Sequence, residues 1–253
     1  MIIVGRRVYG LGATALGIVE LRYGAFAEVW LPVPAHIPGY HTLALATAGL
    51  LIVGGLAINW ARSAAIAALG LAALFAVGMV LTELAPAMTK PTVWGGWQAI
   101  AESTVMALGG VLAYAQIATL SETSAAAIAR AVRLVFGLCL LVFGVSHFVY
   151  AKFTASLVPA WLPPSQLAWA YATGVAQIAA GLAVLTGVRA WLAAALLTVM
   201  YAAFSFLVHL PSVIADPSSH NNWAENAINL ILVGAAWGLA DWLSKPKDLR
   251  PRT

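Results

Sequence analysis

The stretch GVSHFVYAKFTASLVPAWLP, residues 144–163, decides how this chain is organised, because a related stretch occurs near the amino terminus. At a spacing of 127 positions, Gly144 corresponds to Gly17. At a spacing of 125 positions, VPAWLP at 158–163 corresponds to VPAHIP at 33–38. The pattern predicts an internal repeat in which two residues were gained or lost inside the loop.

The repeat extends beyond this loop. Arg62 and Arg189 each stand at the turn before a third helix, 127 positions apart. The sequence therefore predicts two four-helix units, residues 1–121 and 122–253. Because each unit holds an even number of helices, the two repeats should run parallel, related by an axis along the membrane normal.

The composition is that of a polytopic membrane protein. Hydrophobic residues make up 62% of the chain and charged residues only 9%, whereas soluble domains carry roughly 25% charge. At about 20 residues per spanning helix, we expect an all-α integral membrane protein with eight transmembrane helices in two four-helix bundles. The predicted spans are 8–24, 40–60, 63–84, 97–119, 131–151, 166–187, 190–210 and 224–243.

The first span has an alternative interpretation as a cleaved signal peptide. Arg6 and Arg7 precede an apolar run, and Ala25-Phe26-Ala27 imitates a cleavage site. However, Glu20 and Arg22 interrupt the late part of that run. The segment also has a full counterpart in the second unit, so we expect a retained helix.

The distribution of charge predicts the orientation of the chain. Lysine and arginine are retained on the cytoplasmic side of short loops, and ten of the thirteen fall on the side of both termini: Arg6, Arg7, Arg62, Arg130, Arg133, Arg189, Lys245, Lys247, Arg250 and Arg252. Both termini should therefore be cytoplasmic. The histidines all fall on the opposite side: His36, His41, His147, His209 and His220.

Acidic and imidazole side chains near that outer side are the candidate functional residues. A charged group in hydrocarbon is costly, so intramembrane Glu and His usually face a bundle interior or a wet cavity. If each unit closes around its own axis, one pocket holds Glu20, Glu83 and Glu102, and the other holds His147, His209 and Glu225. The candidate catalytic residues are His147, Glu225 and Glu102. The candidate ligand-binding residues are Glu20, His209, Asn226 and Asn229.

Structural interpretations of these residues remain open. Glu102 and Glu225 could complement a helix dipole, and His147 could hydrogen-bond a neighbouring carbonyl. Glu83 is interpreted as an interfacial residue in water. A zinc or copper site from His147, His209, His220 and Glu225 is conceivable, but no HxxxH or CxxC spacing supports it, and no metal is predicted.

On these residues and motifs, the chain resembles the DoxX family of small bacterial membrane proteins, whose unit is a four-helix bundle. The resemblance is clearest in residues 144–163 and in VHLPSVIADP, residues 208–217, and weaker in GIVELRYGAF, residues 17–26. It covers nearly the whole chain as two units. It implies membrane location and, for members paired with thiosulfate-oxidising subunits, electron delivery to quinone; only His147 and the 158–163 loop match a family motif.

These observations predict a protein of the bacterial inner membrane, a quinone-associated subunit of a membrane oxidoreductase. His147, Glu225 and Glu102 would exchange protons with the quinone, and a redox partner subunit or a bound cofactor would supply electrons. A non-catalytic scaffold or assembly subunit is the alternative, and a small-molecule or ion carrier is a third. Whether the chain is an enzyme stays open, and nothing indicates a nucleic-acid surface.

Overall fold

The computed structural model describes residues 4–244, and this range contains helices and no strand. The charges expected at Lys245, Lys247, Asp248, Arg250 and Arg252 lie outside the described residues. The helices are α1 Val4–Tyr23, α2 Tyr40–Ala57, α3 Ala64–Thr82, α4 Leu84–Thr89, α5 Trp94–Ile117, α6 Glu122–Val149, α7 Ala151–Leu157, α8 Gln166–Thr186, α9 Ala190–Phe204, α10 Leu210–Ala215 and α11 His220–Leu243, with a π-helical turn at Ser205–His209 between α9 and α10.

Seven helical segments within residues 4–244 are long and apolar enough to cross a membrane. The prediction of an all-helical membrane protein is confirmed. Helix α1 is not among the seven, since Arg6, Arg7, Glu20 and Arg22 lie near its two ends. Its 20 residues nevertheless span roughly 30 Å, the thickness of a bilayer's hydrocarbon core.

The long helices run alternately up and down, which gives the molecule two distinct faces. Gly5 at the start of α1 packs against Gly238 near the end of α11, and Trp94 at the start of α5 donates to the hydroxyl of Ser146 near the end of α6 at 2.8 Å. We call the end with Arg62, Arg130, Arg133 and Arg189 the arginine face. The opposite end, with His36, His41, His147, His209 and His220, is the histidine face.

Helix packing interlocks the two halves of the chain. The most extensive contact is between α1 and α11, and α5 packs against both α6 and α11. Helix α1 meets α5 at fewer positions, one of them Tyr9, whose hydroxyl donates to the carbonyl of Met106 at 2.9 Å. The two pockets were expected on the condition that each four-helix unit closes around its own axis, whereas the contact of α1 with α11 joins the two units. Both halves share a central parallel pair, in which Gln116 at the end of α5 donates to the carbonyl of Gly238 on α11 at 2.8 Å.

Two helix crossings are built in the same way in the two halves. In α1, Gly10 lies against the backbone of Gly55 in α2. In α6, Gly137 lies against the backbone of Gly181 in α8. Gly137 follows Gly10 by 127 residues, and Gly181 follows Gly55 by 126 residues. The spacing of the predicted repeat therefore relates two equivalent helix contacts. The domain boundary between residues 121 and 122 remains a prediction.

Glycine permits the close approach of α1 and α11. A Cβ atom added at Gly234 would collide with the backbone of Tyr9, and one added at Gly12 would collide with the backbone of Ile231. Small residues allow this proximity in lipid, where association depends on van der Waals packing. A side chain at either position would therefore have to push the helices apart.

We predict that Gly234→Ala lowers the free energy of unfolding by about 1–3 kcal/mol, the usual cost of overpacking. Gly238→Ala is the matched control one turn along α11, because its added Cβ would meet only Leu112 at 3.8 Å. There the better helix propensity of alanine should leave stability unchanged or raise it by up to ~1 kcal/mol. Unfolding by sodium dodecyl sulfate, followed by circular dichroism, measures both; equal effects would contradict the packing described.

Candidate functional site

A π-helical turn lies near the histidine face, at Ser205–His209. The side-chain nitrogen of Asn229 on α11 donates to the carbonyl of Tyr201 at 2.9 Å and to the hydroxyl of Ser205 at 2.7 Å. Both partners belong to the stretch where the α-helical hydrogen-bond pattern changes. Asn229 thus supports the irregular backbone from the neighbouring helix, and such π turns occur frequently at functional sites.

His209, the last residue of the π turn, faces Glu225 on α11. The distance from His209 Nδ1 to Glu225 Oε2 is 3.7 Å, and the two side chains are 18% and 50% exposed. At this separation the groups are close without a direct hydrogen bond. The half-exposed carboxyl group of Glu225 makes the pair accessible from outside the bundle.

Glu102 on α5 approaches this pair from the other half of the chain. Its carboxyl group interacts electrostatically with those of Glu225 and Glu83. The hydroxyl group of Tyr201 also interacts with Glu102. This hydroxyl is buried and makes no hydrogen bond within residues 4–244. An unpaired buried polar group calls for an explanation, such as a water molecule or a ligand.

We call the following residues the polar cluster: Glu102, Tyr201, Ser205, His209, Glu225 and Asn229. Four of them, Glu102, His209, Glu225 and Asn229, are candidate residues predicted from the sequence, whereas Tyr201 and Ser205 are not. A usable signal existed, because Tyr201, Ser205 and His209 are spaced at i, i+4 and i+8 on one helical face. Helix α5 begins at Trp94, three residues before the predicted start at 97, and places Glu102 about two turns inside the helix.

His147 lies beside the polar cluster without joining it. Its Nδ1 is 3.2 Å from the carbonyl oxygen of Ala170 and 2.9 Å from the hydroxyl oxygen of Thr173. The ring of Phe204 lies next to the imidazole, with centroids 6.5 Å apart. His147 is therefore anchored to α8, as its structural interpretation expected, and an aromatic ring stands on the side of α9. Asn226 is half-buried, and its side chain makes no hydrogen bond within the described range.

Two of the predicted outer-side acids have structural partners instead. Glu20 is completely buried, and its carboxylate accepts hydrogen bonds from Ala27 N at 3.2 Å and Trp30 Nε1 at 3.0 Å. Glu83 is buried and accepts a hydrogen bond from the Ser103 hydroxyl at 2.9 Å. The interpretation of Glu83 as a residue in water was wrong. Glu20 holds the loop after α1 rather than contributing to the polar cluster.

Metal ligation has no geometric support among the described residues, where no group of three or more His, Cys, Asp and Glu side chains is close enough to hold an ion. The conceivable set that included His220 is not assembled. The ring of His220 stacks on Tyr23 of α1 at 4.4 Å between centroids.

Comparison with known proteins gives one match. A family model described as a domain of unknown function (DUF8561) matches residues 136–242. No curated protein and no solved structure matches the chain. The matched range contains His147 and every member of the polar cluster except Glu102.

We predict that Asn229→Ala lowers the free energy of unfolding by about 1–3 kcal/mol, because the Ser205 hydroxyl and the Tyr201 carbonyl lose a buried donor. Asn226→Ala, one turn earlier on α11, removes an amide without such partners and should change stability by less than ~0.5 kcal/mol. Denaturant titration in detergent micelles compares them. Equal losses would show that Asn229 does not support the π turn.

The hydrogen bonds of Glu20 predict a difference between two substitutions. Glu20→Gln keeps a carbonyl oxygen for Ala27 and Trp30, so the protein should stay close to wild-type stability. Glu20→Ala leaves both donors buried without a partner, at a cost of about 1–3 kcal/mol each. Thermal unfolding measures the stability of both variants. The quantum yield of Trp30 fluorescence, isolated by replacing the other tryptophans, reports on the hydrogen bond itself. If Glu20→Gln lowered stability as much as Glu20→Ala, the charge of Glu20 would be required.

Proposed function

We propose that this protein is a quinone-associated subunit of a bacterial inner-membrane redox system, with the quinone head group at the polar cluster. The observation that carries the proposal is the unpaired, buried hydroxyl of Tyr201 within electrostatic range of Glu102, which is itself within electrostatic range of Glu225 in the accessible His209–Glu225 pair. A quinone carbonyl needs hydrogen-bond donors, and its reduction needs proton donors and acceptors.

The chemistry of the surrounding residues fits such a ligand. Tyr201 and Phe204 have ring centroids 6.0 Å apart, and they supply aromatic surface for a flat head group. The hydroxyl of Tyr201 is available as a donor, while His209 and Glu225 can exchange protons with the outside. When bound, the quinone would accept two electrons and two protons; the residues of this chain would bind the head group and transfer the protons.

The electrons would come from a partner protein or a bound cofactor. The resemblance to DoxX-like proteins supports a redox partner subunit of this kind. We also propose that α1 is an eighth membrane-spanning helix. It is long enough to cross the hydrocarbon core, and it packs along α2 and α11 over its length.

The same arrangement supports an inner-membrane orientation with both termini in the cytoplasm. Arg62, Arg130, Arg133 and Arg189 share one face with the beginning of α1, as the retention of basic residues predicts. The polar cluster would then open toward the periplasm. The matching crossings of α1 with α2 and of α6 with α8 support duplication of a four-helix unit.

A non-catalytic assembly subunit is the second candidate. Glu20 and Glu83 favour this candidate, because both carboxyl groups accept hydrogen bonds inside the protein. Fewer acidic side chains are then left to transfer protons. A carrier function would require polar groups near the midplane, and the accessible pair His209–Glu225 lies toward the histidine face instead.

We predict that Tyr201→Phe weakens the binding of a short-chain benzoquinone to purified protein by about three- to tenfold, the worth of one hydrogen bond. The same substitution removes an unpaired buried hydroxyl, so thermal stability should be unchanged or higher. Tyr171→Phe on the exposed side of α8 is the matched control. Quinone retained after mild extraction, and titration of the delipidated protein, provide the measurements.

Glu225→Gln and His209→Ala should slow quinone reduction by the natural membrane electron donor while Glu122→Gln, on the arginine face, leaves the rate unchanged. A wild-type protein that retains and binds no quinone would overturn the proposal. Recovery of a constant partner protein from that same preparation would favour the assembly subunit.

A further inference from the structure

A basic recess lies on the arginine face, far from the polar cluster. It has a volume of about 190 Å³ and lies where the turn between α8 and α9 meets α6 and the end of α11. Its walls include Arg133 and Arg189, together with Gly187 and Trp191. The recess is therefore lined by one arginine from α6 and one from the turn between α8 and α9.

An apolar crevice continues from this recess between α8 and α9. It has a volume of about 320 Å³ and shares Arg189 with the recess. Its other walls are alanine, leucine and methionine side chains, from Ala176 to Ala183 on α8 and from Leu192 to Met200 on α9. From Arg189 to Met200 the helix rises roughly 16 Å, which is about one leaflet of the hydrocarbon core.

The guanidinium group of Arg133 is fixed at the wall of the recess. Its Nε and Nη2 donate to the carbonyls of Val184 and Leu185 at the end of α8, both at 3.2 Å. Gly187 adopts a φ of +79° and has no side chain to displace this group, because an added Cβ would lie 2.7 Å from Nη2. Arg133 has five N–H donors, so further donors remain available for an anion.

Arg189 contributes an uncompensated charge. Its side chain makes no hydrogen bond or ion pair with the described part of the chain. It precedes the first turn of α9 and leaves that turn without a side-chain cap. The free N–H groups of a helix start add to the positive potential, and Trp191, which is exposed beside the recess, is a residue type enriched at membrane interfaces.

We propose that this recess and crevice bind one anionic phospholipid, with the phosphate between Arg133 and Arg189 and one acyl chain along the crevice between α8 and α9. Charge complementarity selects the occupant, because the described residues that line the recess include two arginines and no acidic residue. The continuous apolar crevice distinguishes a lipid from a free anion. Basic pockets between helices are a recurrent form of lipid head-group recognition.

The test is native mass spectrometry of the delipidated full-length protein in detergent. The protein is titrated with phosphatidylglycerol and with phosphatidylcholine of identical acyl chains. We expect tighter binding of phosphatidylglycerol by the wild type. Arg189→Asn should reduce that preference about fivefold, the contribution of one basic residue near an anionic lipid. Asparagine suits this substitution because it tolerates the positive φ of 51° at this position.

Two matched controls separate binding from folding. Arg62→Asn removes an exposed arginine from the corresponding turn between α2 and α3, and it should leave the lipid preference intact. Ala179→Leu fills the exposed crevice and should weaken both lipids, whereas Ala172→Leu, exposed on α8 outside the crevice, should weaken neither.

Two results would overturn the proposal. One is equal binding of the two lipids by the wild type, or a preference that survives Arg189→Asn. The other is full competition by inorganic phosphate at equal concentration, with no effect of Ala179→Leu, which would indicate a simple anion site instead of a lipid site.

Discussion

The close approach of α1 and α11 is the constraint on which the rest of the structure depends. Gly12 and Gly234 allow the two backbones to touch, and lipid supplies no hydrophobic drive that would hold them otherwise. The first helix of one half is thereby joined to the last helix of the other. The two halves consequently pack against each other through α1 and α11 rather than forming separate bundles.

This contact between the halves determines where the polar cluster can form. Helix α11 packs against α9 and α5 as well as against α1, and α5 also packs against α6. Glu102 is then carried into electrostatic range of Glu225, although 123 positions separate them in the chain. The cluster belongs to neither repeat alone, because its members come from both.

Local sequence patterns predicted where the helices lie along the chain but not which helices pack against each other. Spans, turns and the separation of arginine from histidine followed from hydropathy and charge, and most helix ends fell within a few residues of the predicted positions. The start of α11 is earlier than predicted because Ser219 caps it, accepting from Asn222 N at 3.2 Å. The π turn was not predictable, since its support comes from Asn229, a residue of another helix. The same applies to the burial of Glu83 against Ser103.

The two halves use equivalent positions for different purposes. Glu20 and His147 are 127 positions apart, yet Glu20 is buried under Trp30 and His147 is anchored to α8 beside Phe204. In the first half Glu83 accepts a hydrogen bond from a hydroxyl through one carboxyl oxygen, while in the second half His209 faces a half-exposed carboxyl group. The other carboxyl oxygens of Glu20 and Glu83 are buried without a hydrogen-bond partner in the described part of the chain. Corresponding positions of the two halves therefore differ in exposure: the acids of the first half are enclosed by the fold, whereas the pair in the second half can be reached from outside it.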